Sequence, residues 1–225
     1  LNTVDIKVVF EDSSSIALPI QITTAAPTGV AKTISSKPII KKARAPGSNL
    51  GFNYFYMESL LGTPVVVDTD GEVRWVGPGT MNSQSSFFFN NGFVIGSALA
   101  PNFYRFELDG TTTSAISLVP MDQSVQYTTF HHSIGLGKTG LFIMADANIN
   151  GQFTMESLLT EVESSLSGKV IAEWDFATIL TQYMRSYGDD PTPFILGDWF
   201  HLNSAIYDPS DDSIIASSRE NFVIK

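Results

Sequence analysis

The segment Asp198–Arg219 carries a histidine, an asparagine and an arginine whose spacing could build an anion-binding site. Two strand-like stretches in it are joined by a polar turn centred on Ser210. An antiparallel hairpin with this centre places His201 opposite Arg219, and directly opposed residues have Cβ atoms about 4.5–5.5 Å apart. Asn203 lies two residues along the same face. An imidazole, a guanidinium and an amide so arranged suit the binding and transfer of an oxyanion.

The same hairpin register pairs Tyr207 with Ser213 and Asn203 with Ser217. A strand has no helix dipole to attract an anion, so the side chains themselves must bind it. His201 can in addition serve as acid or base near neutral pH. The alternative is structural: an arginine that stacks across the edge of a sheet and binds no ligand.

The other two histidines are adjacent, in the segment Phe130–Ile134. Neighbouring side chains on a strand point to opposite faces, so only one of His131 and His132 can face His201. The other is expected to pack or to form a structural hydrogen bond. Three histidines could bind zinc, but only two converge readily and no carboxylate is expected nearby. We therefore predict no metal site and no cofactor.

Composition excludes several functions. The formal net charge is −10 over 225 residues, which disfavours a nucleic-acid partner. The single basic run, 37–44, is predicted to be a solvated strand edge. No apolar stretch is long enough to span a membrane. Because the sequence has no cysteine, it forms no disulfide, thiolate metal site or cysteine nucleophile.

The amino-terminal part predicts a pair of strands, Val4–Phe10 and Ile16–Thr23, followed by a short strand at Pro38–Ala43. The turn Ala45–Ser48 is interpreted as a domain junction. We therefore predict a β-strand domain segment over residues 1–45 and a second domain over residues 46–225.

Strand–turn–strand units recur in the second domain, and their turns carry Gly71, Gly110 and Gly168. Repeats of about 40–50 residues, each providing four strands, indicate a β-propeller. The fold class is therefore predicted as all-β, with a partial propeller of about three to four blades. A β-sandwich with coincidental hairpins is the alternative. Because propellers close with four or more blades, we expect the chain to be part of a longer protein or to be completed by other segments.

Two local features complete the secondary-structure prediction. Apolar residues spaced for one face of a helix are expected to pack, and Gly188 follows the last of them. They are Phe176, Ile179, Leu180, Tyr183, Met184 and Tyr187. The glycine-rich segment Gly135–Gly140 is predicted as a hairpin turn, because His132 stands where a phosphate-binding loop requires glycine.

Three motifs resemble the bacterial arylsulfate sulfotransferases. Asp198–Arg219 is similar to that family's signature, Phe130–Ile134 to its second histidine motif and Pro64–Trp75 to its first-blade hairpin. The resemblance covers residues 50–225. It implies a six-bladed propeller behind an amino-terminal β-domain, a periplasmic or secreted location and a homodimer. The implied reaction moves a sulfuryl group from an aryl sulfate donor to a phenolic acceptor through a sulfohistidine, without a nucleotide sulfate donor.

The resemblance also implies residue roles. His201 and Arg219 would bind and polarise the sulfuryl and phenolic oxygens, and Asn203 would contribute to substrate binding. His132 would join them, with His131 as the alternative, because Ser133 stands where the family often has aspartate. The family's nucleophilic histidine lies further downstream, and no histidine follows His201. We therefore expect this chain to bind an oxyanion without turning over.

Two other functions remain open from the sequence. One is a propeller that binds a partner without catalysing a reaction, and the other is a different propeller enzyme, such as a quinoprotein or a lyase.

Overall fold

A computed structural model of the chain describes residues 2–22, 45–48, 50–57, 64–77, 83, 85–193, 197–219 and 222–225. The predicted strand Pro38–Ala43 and the basic run 37–44 lie outside the described residues. The described residues form sixteen strands and one helix, so the all-β class is confirmed. In chain order the strands are β1 (Asn2–Val9), β2 (Ser15–Ile22), β3 (Tyr54–Met57), β4 (Val65–Asp68), β5 (Val73–Val76), β6 (Ser85–Phe89), β7 (Gly92–Gly96), β8 (Asn102–Glu107), β9 (Ile116–Ser117), β10 (Val125–Leu136), β11 (Gly140–Ile149), β12 (Gln152–Glu163), β13 (Val170–Asp175), β14 (Leu202–Asp208), β15 (Ser213–Ser218) and β16 (Val223–Ile224).

The chain divides into two compact units, one of residues 1–55 and 66–76 and one of residues 56–65 and 77–225. In the first unit, β1 and β2 pair as an antiparallel hairpin. Both predicted amino-terminal strands are thereby confirmed. β1 begins two residues before its predicted start and β2 begins one residue before it. The Ala45–Ser48 turn is also present, since the Ser48 amide donates to the Ala45 carbonyl at 3.0 Å. The domain boundary at residue 45 stays a prediction.

The sheets follow one another along the chain, each built from consecutive strands. Their strand orders are β3-β4-β5, β6-β7-β8-β9, β10-β11-β12-β13 and β14-β15-β16. The predicted hairpin glycines Gly71, Gly110 and Gly168 have φ angles of 84°, 91° and 87°. Glycine adopts this left-handed region without steric cost, which permits the tight turns. Repeated antiparallel sheets are thus confirmed, while the number of blades and their closure stay predictions.

Two apolar cores hold the second unit together. One packs β7 and β8 against β10–β13 and includes Phe103, Phe130 and Ile143. The other packs β11 and β12 against the helix and β14–β15, and includes Phe142, Phe176 and Phe200. These two cores fix the β10–β13 sheet between its neighbours.

The predicted helix is present as α1 (Phe176–Ser186). It begins because the Asp175 side chain accepts a hydrogen bond from the Thr178 amide, which satisfies an otherwise unpaired helix donor. It ends at Ser186, and Gly188, with a φ of 85°, follows the capping residue Tyr187. The prediction that its apolar stripe packs is confirmed for Phe176, which is buried and stacks on Phe200 at a centroid distance of 5.6 Å. It is wrong for Ile179, Tyr183 and Tyr187, whose side chains are exposed.

The hairpin turn between β10 and β11 is supported by a buried carboxylate. Glu161 accepts hydrogen bonds from the Thr139 amide at 2.6 Å and the Gly140 amide at 2.8 Å. The turn itself is confirmed by the bond from the Gly137 amide to the Gly140 carbonyl. Glutamate at 161 therefore compensates two backbone donors at the end of a sheet.

Replacing this carboxylate is expected to weaken folding. In Glu161→Ala the buried Gly140 amide loses its partner, so the free energy of unfolding should fall by about 1–3 kcal/mol in urea denaturation. Glu163→Ala, which removes a more exposed glutamate paired with Lys169, is the matched control and should change it by less than about 0.5 kcal/mol. Equal stability of Glu161→Ala and the control would contradict the assignment.

Candidate functional site: a cluster of histidines and carboxylates

All three histidines of the sequence meet at one place. The Nε2 atoms of His132 and His201 lie 2.8 Å apart, and the centroids of these rings are separated by 4.7 Å. His131 stands edge-on to His132 with a centroid distance of 5.1 Å. His132 is thus the member of the adjacent pair that contacts His201, while His131 is buried behind it.

Irregularities in three strands create this convergence. In β10, residues 131–133 stand opposite the single residue Met144. In β12, residues 155–157 stand opposite Asp146. In β14, Asn203 is the extra residue opposite β15. Such bulges redirect side chains, and they occur often beside active sites.

The backbone at the cluster is strained. His132, Glu156 and His201 have φ angles of 54°, 47° and 47°. The other non-glycine residues with positive φ in the described part of the chain lie in loops between strands. Holding a non-glycine residue in this region costs about 1–3 kcal/mol, and such residues concentrate at functional sites. The strain therefore marks these three positions as candidates for function.

Two carboxylates flank His201. Its Nδ1 atom contacts a carboxylate oxygen of Asp198 and one of Glu156. Glu156 Oε2 also lies 3.4 Å from His132 Nε2. Because carboxylates only accept hydrogen bonds, these contacts place a ring hydrogen of His201 on Nδ1. At 2.8 Å, one of the two facing Nε2 atoms of His132 and His201 donates to the other.

Arg219 enters the cluster through Asp198. Its NH2 atom lies 3.4 Å from Asp198 Oδ2, the oxygen that also contacts His201. The Arg219 amide donates to the His201 carbonyl at 2.9 Å, so the two residues are cross-strand neighbours. The Arg219 side chain is about half exposed, at 52%. It can therefore reach a ligand at the edge of the cluster.

His131 occupies a different environment. Burial lowers the pKa of His131 to about 4, although the nearby Asp146 carboxylate acts in the opposite direction. Its Nε2 atom lies 3.8 Å from Asp146 Oδ1. Asp146 is itself fixed by the Thr129 hydroxyl and the Glu156 amide. His131 is therefore a buried, neutral imidazole behind His132.

The predicted hairpin register is wrong near the turn and right at its far end. Tyr207 pairs with Ile214 instead of Ser213, and Ser217 pairs with Ser204 instead of Asn203. The turn is therefore centred one half-residue later than predicted, and the bulge at Asn203 restores the predicted pairing beyond it. Asn203 is half-buried and makes no hydrogen bond to the histidines in the described contacts.

Sequence reasoning missed the carboxylates of the cluster. Asp198 lies three residues before His201, a spacing that could have suggested it as an orienting partner. Glu156 and Asp146 are distant in sequence from both histidine motifs, and only the strand irregularities bring them close. The expectation that the histidines lack a nearby carboxylate is therefore wrong.

These features define an all-β protein of repeated antiparallel sheets with a histidine–arginine site between two of them. The family model "Arylsulfotransferase (ASST)" matches residues 40–225, and the chain belongs to that family.

A search of curated proteins gives no match. Among solved structures, the chain is similar to the crystal structure of Myxococcus xanthus glutaminyl cyclase, with 14% identity and a TM-score of 0.47 over 74% of this chain and 64% of that chain. The chain thus spans less than two thirds of that protein's length. None of the described helices has the length and apolar character needed to cross a membrane.

Proposed function

We propose that this chain provides part of a site that transfers a sulfuryl group from an aryl sulfate ester to a phenolic acceptor, without a nucleotide sulfate donor. The supporting observation is the contact between His132 and His201, with Arg219 joined to His201 through Asp198. Family membership supplies the reaction class.

The charge requirements of sulfuryl transfer fit these side chains. Like phosphoryl transfer, the reaction spreads negative charge over the oxygens around the central atom, so preplaced positive donors supply much of the catalysis. The Arg219 guanidinium offers a planar set of N–H donors for two such oxygens. The imidazole of His132 can donate to a third oxygen or to the phenolic oxygen of the ester.

Asp198 has a positioning role in this proposal. Its carboxylate accepts from His201 Nδ1 and also contacts Arg219, so one side chain orients the two residues together. A carboxylate partner sets the tautomer of a histidine and the direction of its other nitrogen. His201 Nε2 is thereby turned toward His132.

The proposed covalent step requires a nucleophilic histidine. The sequence contains no histidine downstream of His201 that could take this role. The imidazole nitrogen of the nucleophile would form a bond to sulfur as the bond from sulfur to the phenolic oxygen breaks, and the departing phenolate takes up a proton. The acceptor phenol then attacks sulfur, loses its proton and releases the histidine. His132, His201 and Arg219 bind the sulfuryl group in both steps.

The same proposal covers the larger assembly. The consecutive sheets are taken as three to four blades of a six-bladed propeller. The periplasmic or secreted location and the homodimer rest on the family resemblance alone.

Binding of an aryl sulfate tests the half-site directly. Isothermal titration of the chain with 4-nitrophenyl sulfate should show one site, and Arg219→Ala should weaken it about 10–100-fold, because a charged hydrogen bond contributes about 1.5–3 kcal/mol. Arg185→Ala, which removes an exposed arginine from the last turn of α1, is the control and should bind as the unchanged chain does. Absence of binding, or equal binding by Arg219→Ala, would overturn the proposed site.

A further inference from the structure

Asp146 connects three strands of the β10–β13 sheet at the point where the sheet is irregular. It stands on β11 opposite Thr129 of β10, and residues 155–157 of β12 form the irregularity opposite it on the other side. Its carboxylate accepts one hydrogen bond from each neighbouring strand. The Thr129 hydroxyl donates to Oδ2 at 2.8 Å, and the Glu156 amide donates to Oδ1 at 2.7 Å. One side chain therefore ties β10 and β12 together beside the histidine cluster.

The bond to the Glu156 amide compensates for the irregularity in β12. In a regular antiparallel pair the amides of a strand bond to the carbonyls of its neighbour, whereas the extra residues of a bulge are left unpaired. Glu156 also has a φ of 47°, which a non-glycine residue keeps only where its surroundings enforce it. Because Asp146 accepts from the amide of this same residue, its carboxylate stabilises the strained conformation.

The backbone conformation of Glu156 decides where its own carboxylate points. Neighbouring side chains of a regular strand point to opposite faces, so a change of φ at one residue redirects its side chain. Here the Glu156 carboxylate contacts His201 Nδ1, and its Oε2 lies 3.4 Å from His132 Nε2. These two rings contact each other through Nε2 atoms 2.8 Å apart. Glu156 therefore contacts both members of the histidine pair.

A role for Asp146 as the ionic partner of His131 fits the geometry less well. Asp146 Oδ1 lies 3.8 Å from His131 Nε2, which exceeds hydrogen-bond distance. Burial lowers the pKa of His131 to about 4, so that ring carries no charge near pH 7. The closer partners of the Asp146 carboxylate are Thr129 and Glu156.

We propose that Asp146 is a positioning residue, which holds Glu156 in its left-handed conformation and so directs the Glu156 carboxylate to His132 and His201. Glu156 then acts together with Asp198, because both carboxylates contact His201 Nδ1, one from β12 and one from the segment before β14. A carboxylate beside an imidazole favours its charged form, and that form attracts a sulfate ester. The use of this arrangement for an aryl sulfate rests on the proposed function, whereas the arrangement itself does not.

Two substitutions separate the hydrogen bonds of Asp146 from its charge. Asp146→Asn can keep both bonds, because its amide oxygen accepts from the Glu156 amide and its amide nitrogen can donate to the Thr129 hydroxyl. Asp146→Ala removes both. In isothermal titration with 4-nitrophenyl sulfate, Asp146→Ala should weaken binding about 10-fold, the effect of losing one hydrogen bond to a charged group, and Asp146→Asn should stay within about 2-fold of the unchanged chain.

A double-mutant cycle tests whether Asp146 acts through Glu156. Glu156→Ala should weaken aryl sulfate binding by about the same factor as Asp146→Ala, and the double variant should bind no more weakly than either single variant. Asp122→Ala is the matched control. It removes another aspartate that accepts a backbone amide, that of Ser124 in the turn before β10, and it should bind as the unchanged chain does.

The histidine rings give a measurement that needs no ligand. The sequence contains three histidines, so the NMR signals of their ring C–H groups can be assigned by substitution. The His201 signal should shift in both Asp146→Ala and Glu156→Ala and stay in place in Asp146→Asn. His201 lies outside the β10–β13 sheet, so a local loss of strand pairing in that sheet would not move its signal. Urea denaturation checks that each variant is folded, and Glu156→Ala tests the direction of Glu156 if Asp146→Ala does not fold.

The outcomes separate this role from the proposed function. Equal losses of affinity in Asp146→Ala and Asp146→Asn, additive losses in the double variant, or an unmoved His201 signal in Glu156→Ala would overturn the positioning role. If the unchanged chain binds aryl sulfate and all these variants bind it equally, the positioning role fails and the proposed function stands. If the unchanged chain binds no aryl sulfate, the proposed function fails, and the His201 signal decides whether Asp146 positions Glu156.

Discussion

The sulfuryl transfer proposed for this site, assayed together with the segment that supplies the nucleophilic histidine, is expected to slow about 10²–10⁴-fold in the His201→Ala variant, the range typical of a positioned acid–base group. His201 is buried, contacts His132 through Nε2 and is oriented by Asp198. Its removal takes away the imidazole that contacts His132 and also the partner shared by Asp198 and Arg219. The rate is measured as 4-nitrophenol released from 4-nitrophenyl sulfate with phenol as acceptor.

In the same assay, the Asp198→Asn variant tests whether Asp198 acts by orienting His201 or by contacting the substrate itself. Asparagine keeps the size of the side chain but can offer its amide group to His201 Nδ1, so the tautomer is no longer set. We expect a smaller loss, mainly in kcat, with KM for the aryl sulfate nearly unchanged. Arg185→Ala is the control variant. A His201→Ala enzyme with unchanged kcat/KM would exclude His201 from the reaction.

The Phe142→Ala variant is expected to lose about 3–5 kcal/mol of unfolding free energy, the range for truncating a buried phenylalanine. Phe142 is only 1% exposed, and its ring meets Trp174 edge-on in the core shared by β11, α1 and β14. The cavity left by its ring cannot be filled by these neighbours without moving a sheet. Chemical denaturation followed by tryptophan fluorescence measures the change.

Phe153→Ala is the matched control for this prediction. Phe153 lies on β12 of the same sheet and is 53% exposed, so its truncation should change stability by no more than about 0.5 kcal/mol. Similar losses in the two variants would show that the β11 core does not hold the sheets together.

The strands and turns could be predicted because their causes are local. Alternation of apolar residues identified β1 and β2, and the left-handed glycines Gly71, Gly110 and Gly168 marked the hairpins. The spacing of Phe176 through Tyr187 likewise predicted α1, whose capping residue Asp175 is its immediate neighbour. In each case the determining residues lie within a few positions of the element that they form.

The site was only partly predictable because its geometry depends on strand irregularities. The alternation of side chains along a strand correctly predicted that one of His131 and His132 faces His201. It could not predict that Glu156 joins the cluster, because the direction of its side chain results from a three-residue irregularity in β12. The β14–β15 turn is also centred half a residue later than predicted. The pairing of His201 with Arg219 agreed with the prediction only because the bulge at Asn203 offsets that shift.

The location of the three irregularities has a thermodynamic consequence. His132 and Glu156 belong to the β10–β13 sheet, whereas His201 immediately precedes the β14–β16 sheet. A ligand that contacts all three bridges two sheets that otherwise adhere through the apolar core around Phe142 and Phe200. Its binding free energy then adds to the free energy that holds those two sheets together. The free energy needed to separate the sheets therefore increases as the site becomes occupied.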